Sequence, residues 1–369
     1  MSSTGVKFNN QAQPEFFRTL HNRVNSFFEE KAISRHANAS MMVKTVFMLC
    51  LYAIPLAILI MGGVTTFAGM MALWIVMGLG MSGIGLSVMH DANHGSYSSS
   101  PVINRILGFV LNFIGGYHIN WKIQHNVLHH SFTNVHGYDE DIEKGIMRFS
   151  PTQERKAAFR FQAFYAPFLY GLMTIYWLLI KDFEQLVRYH KRGLLQDQGV
   201  SFRKALIQIV FNKSWYVGLT LVLPLWSLDL PWWQVLVGFS SMQFLSGLIL
   251  ALIFQPAHVL EETAFFKADE HGSVENNWAI HQMKTTANFA HGSRFFSWFI
   301  GGLNYQIEHH LFPNVCHIHY KQISGIVRKT AAEFGIPYLE HKTFLDALKS
   351  HFSLLHQLGT GAYDRALSA

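Results

Sequence analysis

The sequence predicts an all-α integral membrane protein: four transmembrane helices with a cytosolic helical cap that holds a histidine-rich site. Three observations carry this. The 369-residue chain is 50% hydrophobic but only 14% charged, against about 25% charged in ordinary soluble domains. Four apolar runs are long enough to cross about 30 Å of hydrocarbon. Histidines gather in three separated clusters: His90 and His94 in "HDANH", His125, His129 and His130 in "HNVLHHSFTN", and His309 and His310 in "QIEHH".

Residues 1–42 are polar and of mixed charge, with no basic start leading into an apolar core. They read as a cytosolic segment rather than a signal peptide. The runs near 43–62 and 66–89 are the first two spans, joined by the uncharged "GGVTT". The runs near 214–228 and 232–256 are the next two, and their link "SLDLP" has one acidic and no basic residue. Trp226, Trp232 and Trp233 bracket that link as an interfacial belt. Lys and Arg concentrate before residue 43, in 144–204 and beyond 320. The positive-inside rule therefore puts both termini and the large loop in the cytosol. The same placement beside apolar runs explains the net charge of +6 and excludes nucleic acid as a partner. Cys50 and Cys316 stand far apart, which excludes a disulfide framework or a CxxC metal site.

Two further apolar stretches are constrained by parity. Clusters that share one site need an even number of crossings between them. The run 161–180, "FQAFYAPFLYGLMTIYWLLI", therefore reads as interfacial or re-entrant, and 103–117 is too short to span. The basic loop 181–204 suits either an anionic head group or an acidic partner protein. The domain 43–320 is followed by a cytosolic tail, 321–369, with amphipathic helices near 320–334 and 341–358 parted by "GIPYLE".

This topology brings every histidine cluster to the cytosolic membrane face, together with His258 at the end of the fourth run. His90/His94 and His125/His129 are i, i+4 pairs that share a helix face. Imidazole suits zinc, copper, iron or nickel. Eight histidines are too many for one tetrahedral zinc and suit two metal ions with open positions. A lone HxxxH is usually incidental, and the remaining histidines read as solvated or hydrogen-bonded. Ionisable groups gathered at membrane depth default to function. "HDANH" also resembles HExxH with Asp91 in place of the glutamate, but a membrane zinc protease would leave the other clusters without a purpose.

The order HxxxH, HxxxHH, QxxHH, with span pairs between, resembles the membrane fatty acid desaturases. "HNVLHHSFTNVHGYDEDIE" and "GGLNYQIEHHLFPNVCHIHY" are similar to the family's second and third histidine boxes, and Gln306 resembles the front-end group. The resemblance covers roughly residues 40–340. It implies a non-haem centre of two iron ions, O2 as oxidant, an acyl-CoA or acyl-lipid substrate, and a tunnel for the acyl chain. His258 resembles the extra ligand after the fourth span. Gln306, His281, Asn288, Asp91 and Asp141 are candidates for binding metal or orienting its ligands, with Asp139 and Glu308 beside them. Trp121 is a candidate tunnel residue or plain packing. Front-end relatives usually carry a fused cytochrome b5 with an HPGG motif. None occurs here, so the resemblance implies a separate electron donor, ferredoxin or free cytochrome b5, and points to a bacterial cytoplasmic membrane, with a plastid as the alternative.

The expectation is thus an O2-dependent acyl desaturase of front-end type. A hydroxylase on the same scaffold is the first rival. A histidine-rich metal transporter is the second, and it would place polar ligands inside the spans, where the four runs show none.

Overall fold

Among the described residues four helices are long and apolar enough to cross a membrane: Ala39–Ile60, Phe67–Asn93, Phe202–Ser227 and Trp232–His258, the first to fourth spans below. They belong to a computed structural model that describes residues 6–9, 13–143 and 145–368. Their ends follow local chemistry. Asn38, Thr66 and Ser201 each accept a hydrogen bond from the backbone three residues on, which caps the first three spans. Gly62 supplies the positive φ of the turn between the first two.

The chain divides into two units. The first comprises residues 37–123 and 168–251 and contains the spans up to Ala251. Val43, Phe47, Ile54, Phe211 and Trp215 are exposed on it, as lipid-facing positions must be. The first two spans meet through Gly80, where an added Cβ would lie 2.6 Å from the backbone nitrogen of Tyr52. Such small-residue contacts are how membrane helices approach closely.

Two expectations are corrected in this unit. The third span starts at Phe202 rather than near 214, and the spans are not free of buried polar groups. Lys213 on the third span is buried with its Nζ 2.7 Å from Asp182 Oδ2. It also donates to the carbonyls of Gly115 at 3.1 Å and Trp177 at 2.9 Å. On the fourth span, Gln243 donates to the Tyr216 hydroxyl at 2.5 Å. A paired and fully hydrogen-bonded lysine fits in a helix that hydropathy alone would end before it. The stretch 161–180 is no straight helix: Ala157–Gly171 and Met173–Lys191 meet at 60°. Likewise Pro101–Phe113 and His118–Phe132 meet at 113°.

The second unit comprises the segment up to His36, residues 124–167, and everything from Leu252 on. The helix Pro14–Glu30 buries the stripe Phe16, Leu20, Val24 and Phe28. These side chains share one core with Ile323, Val327 and Ala331 of the helix Tyr320–Glu333. The helix Phe344–Thr360 starts on a capping box between Thr343 and Asp346. Two short parallel strand pairs join distant segments: Lys7–Phe8 with Ser273–Val274, and Asn288–Phe289 with Glu340–His341.

Candidate metal centre

Six histidines gather in the second unit. His125 and His129 lie on a π-helical turn, Ile123–His129, and His130 begins the helix that continues it. π-turns recur at functional sites because they re-aim side chains relative to the flanking helix. His258 is the last residue of the fourth span, and His309 and His310 lie on the short helix Gln306–Leu311.

Adjacent residues on a helix point in directions roughly 100° apart, and the two HH doublets exploit this. Each sends one ring to each of two groups. His129 and His310 join His258, with ring centroids 4.7 Å apart for His129–His258, 5.0 Å for His129–His310 and 4.7 Å for His258–His310. Their ligating nitrogens lie within 4.8 Å of one another. His130 and His309 join His125: His130 Nε2 is 3.3 Å from His125 Nε2 and 3.0 Å from His309 Nε2.

In the first group every Nδ1 faces an acceptor. His129 Nδ1 lies 3.1 Å from Asp139 Oδ2, His258 Nδ1 3.2 Å from the Thr285 carbonyl, and His310 Nδ1 2.8 Å from Gln282 Oε1. An Nδ1–H that donates outward leaves Nε2 as the lone-pair nitrogen facing inward, which is the ligating tautomer. Among the described residues His258 Nε2 is buried with no hydrogen-bond partner, an arrangement that costs free energy unless something accepts its lone pair. In the second group the Nε2 atoms of three rings converge, close enough to share a proton between rings or to share one cation. Both groups therefore fit a metal ion that prefers imidazole.

Further residues hold these rings in place. Asp139 also accepts from the backbone of Asn134 and Asp141, so its carboxylate is fixed before it meets His129. Asp141 accepts from Gln124 Nε2 and keeps its Oδ2 3.9 Å from His129 Nδ1. Asn288 donates to Glu308 at 2.8 Å, and burial raises the Glu308 carboxyl to about 7. Gln306 is buried at the start of the helix that bears His309 and His310. His281 sits differently. Its Nε2 is 2.6 Å from the Thr133 carbonyl, and its ring packs on Phe8 and Phe266. It braces the chain after the HH doublet rather than facing either group, and burial lowers it to about 4, so it is neutral.

His90 and His94 belong to the other unit, His90 on the last turn of the second span and His94 at its C-cap. Their rings are 4.8 Å apart, and Trp121 stands edge-on to both at 5.6 and 5.8 Å. Asp91 Oδ1 is 3.9 Å from His90 Nδ1.

Sequence reasoning missed Gln282, the Thr285 carbonyl and Tyr320, whose hydroxyl is 3.0 Å from His309 Nδ1. Gln282 directly follows His281 in "WAIHQMKT", and its Nε2 also donates to the His130 carbonyl at 3.0 Å. Its position next to His281 in a buried stretch was the available signal.

The sequence pattern of the fatty acid desaturases matches residues 66–342. The chain is 37% identical to an sn-1 linoleoyl-lipid 6-desaturase of Synechocystis sp., over 93% of this chain and 95% of that protein. It is 33% identical to an sn-1 linoleoyl-lipid 6-desaturase of Arthrospira platensis, over 100% and 99%. It is 34% identical to an acyl-lipid (8-3)-desaturase of Physcomitrium patens, over 94% and 72%.

Proposed function

The chain belongs to the fatty acid desaturase family and is an integral membrane fatty acyl desaturase, and from that premise we propose its substrate, metal and topology. The substrate is a glycerolipid-bound acyl chain that already carries a double bond. The new cis double bond forms between that bond and the carboxyl end, the front-end outcome. The names of the two cyanobacterial relatives, which match over nearly their whole lengths, support this. An acyl-CoA substrate is the alternative head group.

The observation that carries the reading is the split of the two HH doublets into two groups of three rings. His129, His258 and His310 would hold one iron; His125, His130 and His309 would take part in holding the other. His90 and His94 are proposed as ligands on the strength of their motif. Bound there, two irons would supply the O2-derived oxidant needed to strip hydrogens from unactivated methylenes. The overall balance is –CH2–CH2– plus O2, two electrons and two protons giving –CH=CH– and two waters. Asp139, Thr285 and Gln282 keep three imidazoles in the ligating tautomer, and the burial of the site keeps bulk water from the oxidant. The electrons come from a separate acidic one-electron donor, a ferredoxin or cytochrome b5. Both termini and the histidine site face the cytosol of a bacterial cytoplasmic membrane, in line with the basic segments.

Expression in a host that supplies such a donor, beside His129→Ala, tests this by locating new double bonds in the extracted glycerolipids. A front-end double bond absent from the variant is the expected result. A hydroxylated chain, or a new bond confined to the acyl-CoA pool, would overturn the reaction or the substrate respectively.

A further inference from the structure

One polar cluster of the second unit is not used by the ligands directly. Glu308 is fully buried between Ile307 and His309, and both of its carboxylate oxygens are engaged. Oε2 accepts from Asn288 Nδ2 at 2.8 Å, and Oε1 accepts from the Tyr338 hydroxyl at 3.0 Å. Asn288 closes the ring: its Nδ2 is 2.7 Å from the Tyr338 oxygen, and its Oδ1 accepts from the Ile307 backbone at 2.9 Å. Three distant segments thus meet on one carboxylate.

Tyr338 is held in place from behind. The next residue, Leu339, accepts at its carbonyl from the Asn288 backbone at 2.9 Å. Glu340 then pairs with Asn288 in the short parallel ladder. The Arg328 guanidinium lies 4.8 Å over the Tyr338 ring and pairs with Glu340. The phenol is therefore presented at a fixed height, and its hydroxyl donates to Glu308 while accepting from Asn288.

We propose that Tyr338 is a positioning residue for the metal centre, acting through Glu308 on the helix that carries His309 and His310. The inference rests on the reading of the histidine groups as metal sites. A buried carboxylate that loses one of its two donors must turn or draw in water. Glu308 precedes the doublet whose rings serve both groups, so a small rotation of that helix displaces one ligand of each. Tyr338 touches neither group, yet its hydroxyl bears on both.

The test is cobalt(II) titration of the full-length chain in detergent, read by visible d–d absorption, with iron content after expression as a second readout. Tyr338→Phe keeps the ring and its contact with Arg328 and removes only the oxygen. It is expected to weaken cobalt binding by about 10-fold, the low end for lost supports of metal ligands, with an altered d–d spectrum and a lower thermal midpoint from the donor lost to a buried carboxylate. In a Glu308→Gln background the same change is expected to add little, because the carboxylate it acts through is gone. Tyr338→His, which restores a donor, is expected to recover part of the affinity. Should Tyr338→Phe not fold, Asn288→Ser gives the same comparison from the other carboxylate oxygen. Undiminished cobalt binding by Tyr338→Phe, or an equal loss in the Glu308→Gln background, would overturn the proposal. His310→Ala is the control: if it binds cobalt like the natural chain, the metal-centre reading itself fails, and that result is separate from a failure of Tyr338 alone.

Discussion

Lys213 Nζ stands 2.7 Å from Asp182 Oδ2, and both side chains are buried within the membrane-spanning unit. Asp182 also accepts from Trp177 Nε1 at 3.1 Å, and Asn120 Nδ2 donates to its carbonyl at 2.8 Å. The pair ties the third span to the bent segment before it. Breaking a buried pair by removing one partner costs about 3–5 kcal/mol, because the other charge stays buried and unmatched. Lys213→Met is therefore expected to lower the thermal midpoint in detergent sharply. Lys213→Met with Asp182→Leu is expected to recover much of the loss, but not all, since Trp177 then lacks its acceptor. A double variant as unstable as Lys213→Met would show that charge burial is not what the pair governs.

His258 and His281 are both buried histidines of the second unit, but their ring nitrogens face different partners. His258 Nε2 faces His129 and His310, whereas His281 Nε2 holds the Thr133 carbonyl. His258→Gln is expected to abolish most bound iron. His281→Gln, which still offers a donor to that carbonyl, is expected to keep its iron and lose a little stability. Metal analysis of the two purified variants decides the matter. Iron loss from His281→Gln equal to that from His258→Gln would place His281 among the ligands.

Asp139→Asn addresses the tautomer argument. Asp139 fixes Nδ1–H of His129 and is itself pinned by two backbone donors. Replacing the acceptor is expected to reduce iron affinity by roughly 10- to 100-fold with little change in folding. Unaltered iron content would mean that His129 keeps its orientation without that carboxylate.

The contrast between His258 and His281 also marks how far the sequence could be read. The four apolar runs fall on the four long apolar helices, because lipid exposure demands apolar residues along a whole helix, though the third helix begins at Phe202, well before its run. The HH doublets were legible as a candidate metal site because the chemistry of imidazole is written in residue type, and the structure brings their rings together in two groups. Lys213 was not legible as part of a span, since its partner Asp182 lies across a loop and hydropathy sees only local composition. The supports of the ligands were half legible. Asp139 and Asp141 announce themselves as carboxylates, but the Thr285 carbonyl is backbone, and every residue has one. His281 was indistinguishable from a ligand until Thr133 was placed beside it.

Gly80 tests the packing of the first two spans. An added Cβ would meet Tyr52 N at 2.6 Å and Leu51 C at 2.8 Å, both backbone atoms that cannot rotate away. Gly80→Ala therefore has to push the spans apart and is expected to cost roughly 1–3 kcal/mol of stability, as overpacking does. Gly218 on the third span has open space around it. Gly218→Ala is the matched comparison and is expected to be near neutral in thermal unfolding. Equal midpoints for the two variants would rule out a tight contact at Gly80.

His351 gives stability a dependence on pH that can be signed in advance. It is buried on the helix Phe344–Thr360, and its Nδ1 donates to the Val259 carbonyl at 2.7 Å. Burial lowers its pKa from 6.5 to about 4. Between those values the unfolded chain binds a proton that the folded chain refuses, so stability rises with pH across that window. The contribution is complete above about 6.5 and is lost as pH falls toward 4. His351→Gln can still donate to Val259 but does not titrate. Thermal midpoints measured from pH 7.5 down to 4.5 are therefore expected to fall more steeply for the natural chain than for the variant. Parallel slopes would mean that the folded chain protonates His351 as readily as the unfolded one does, and that the contact with Val259 survives that charge.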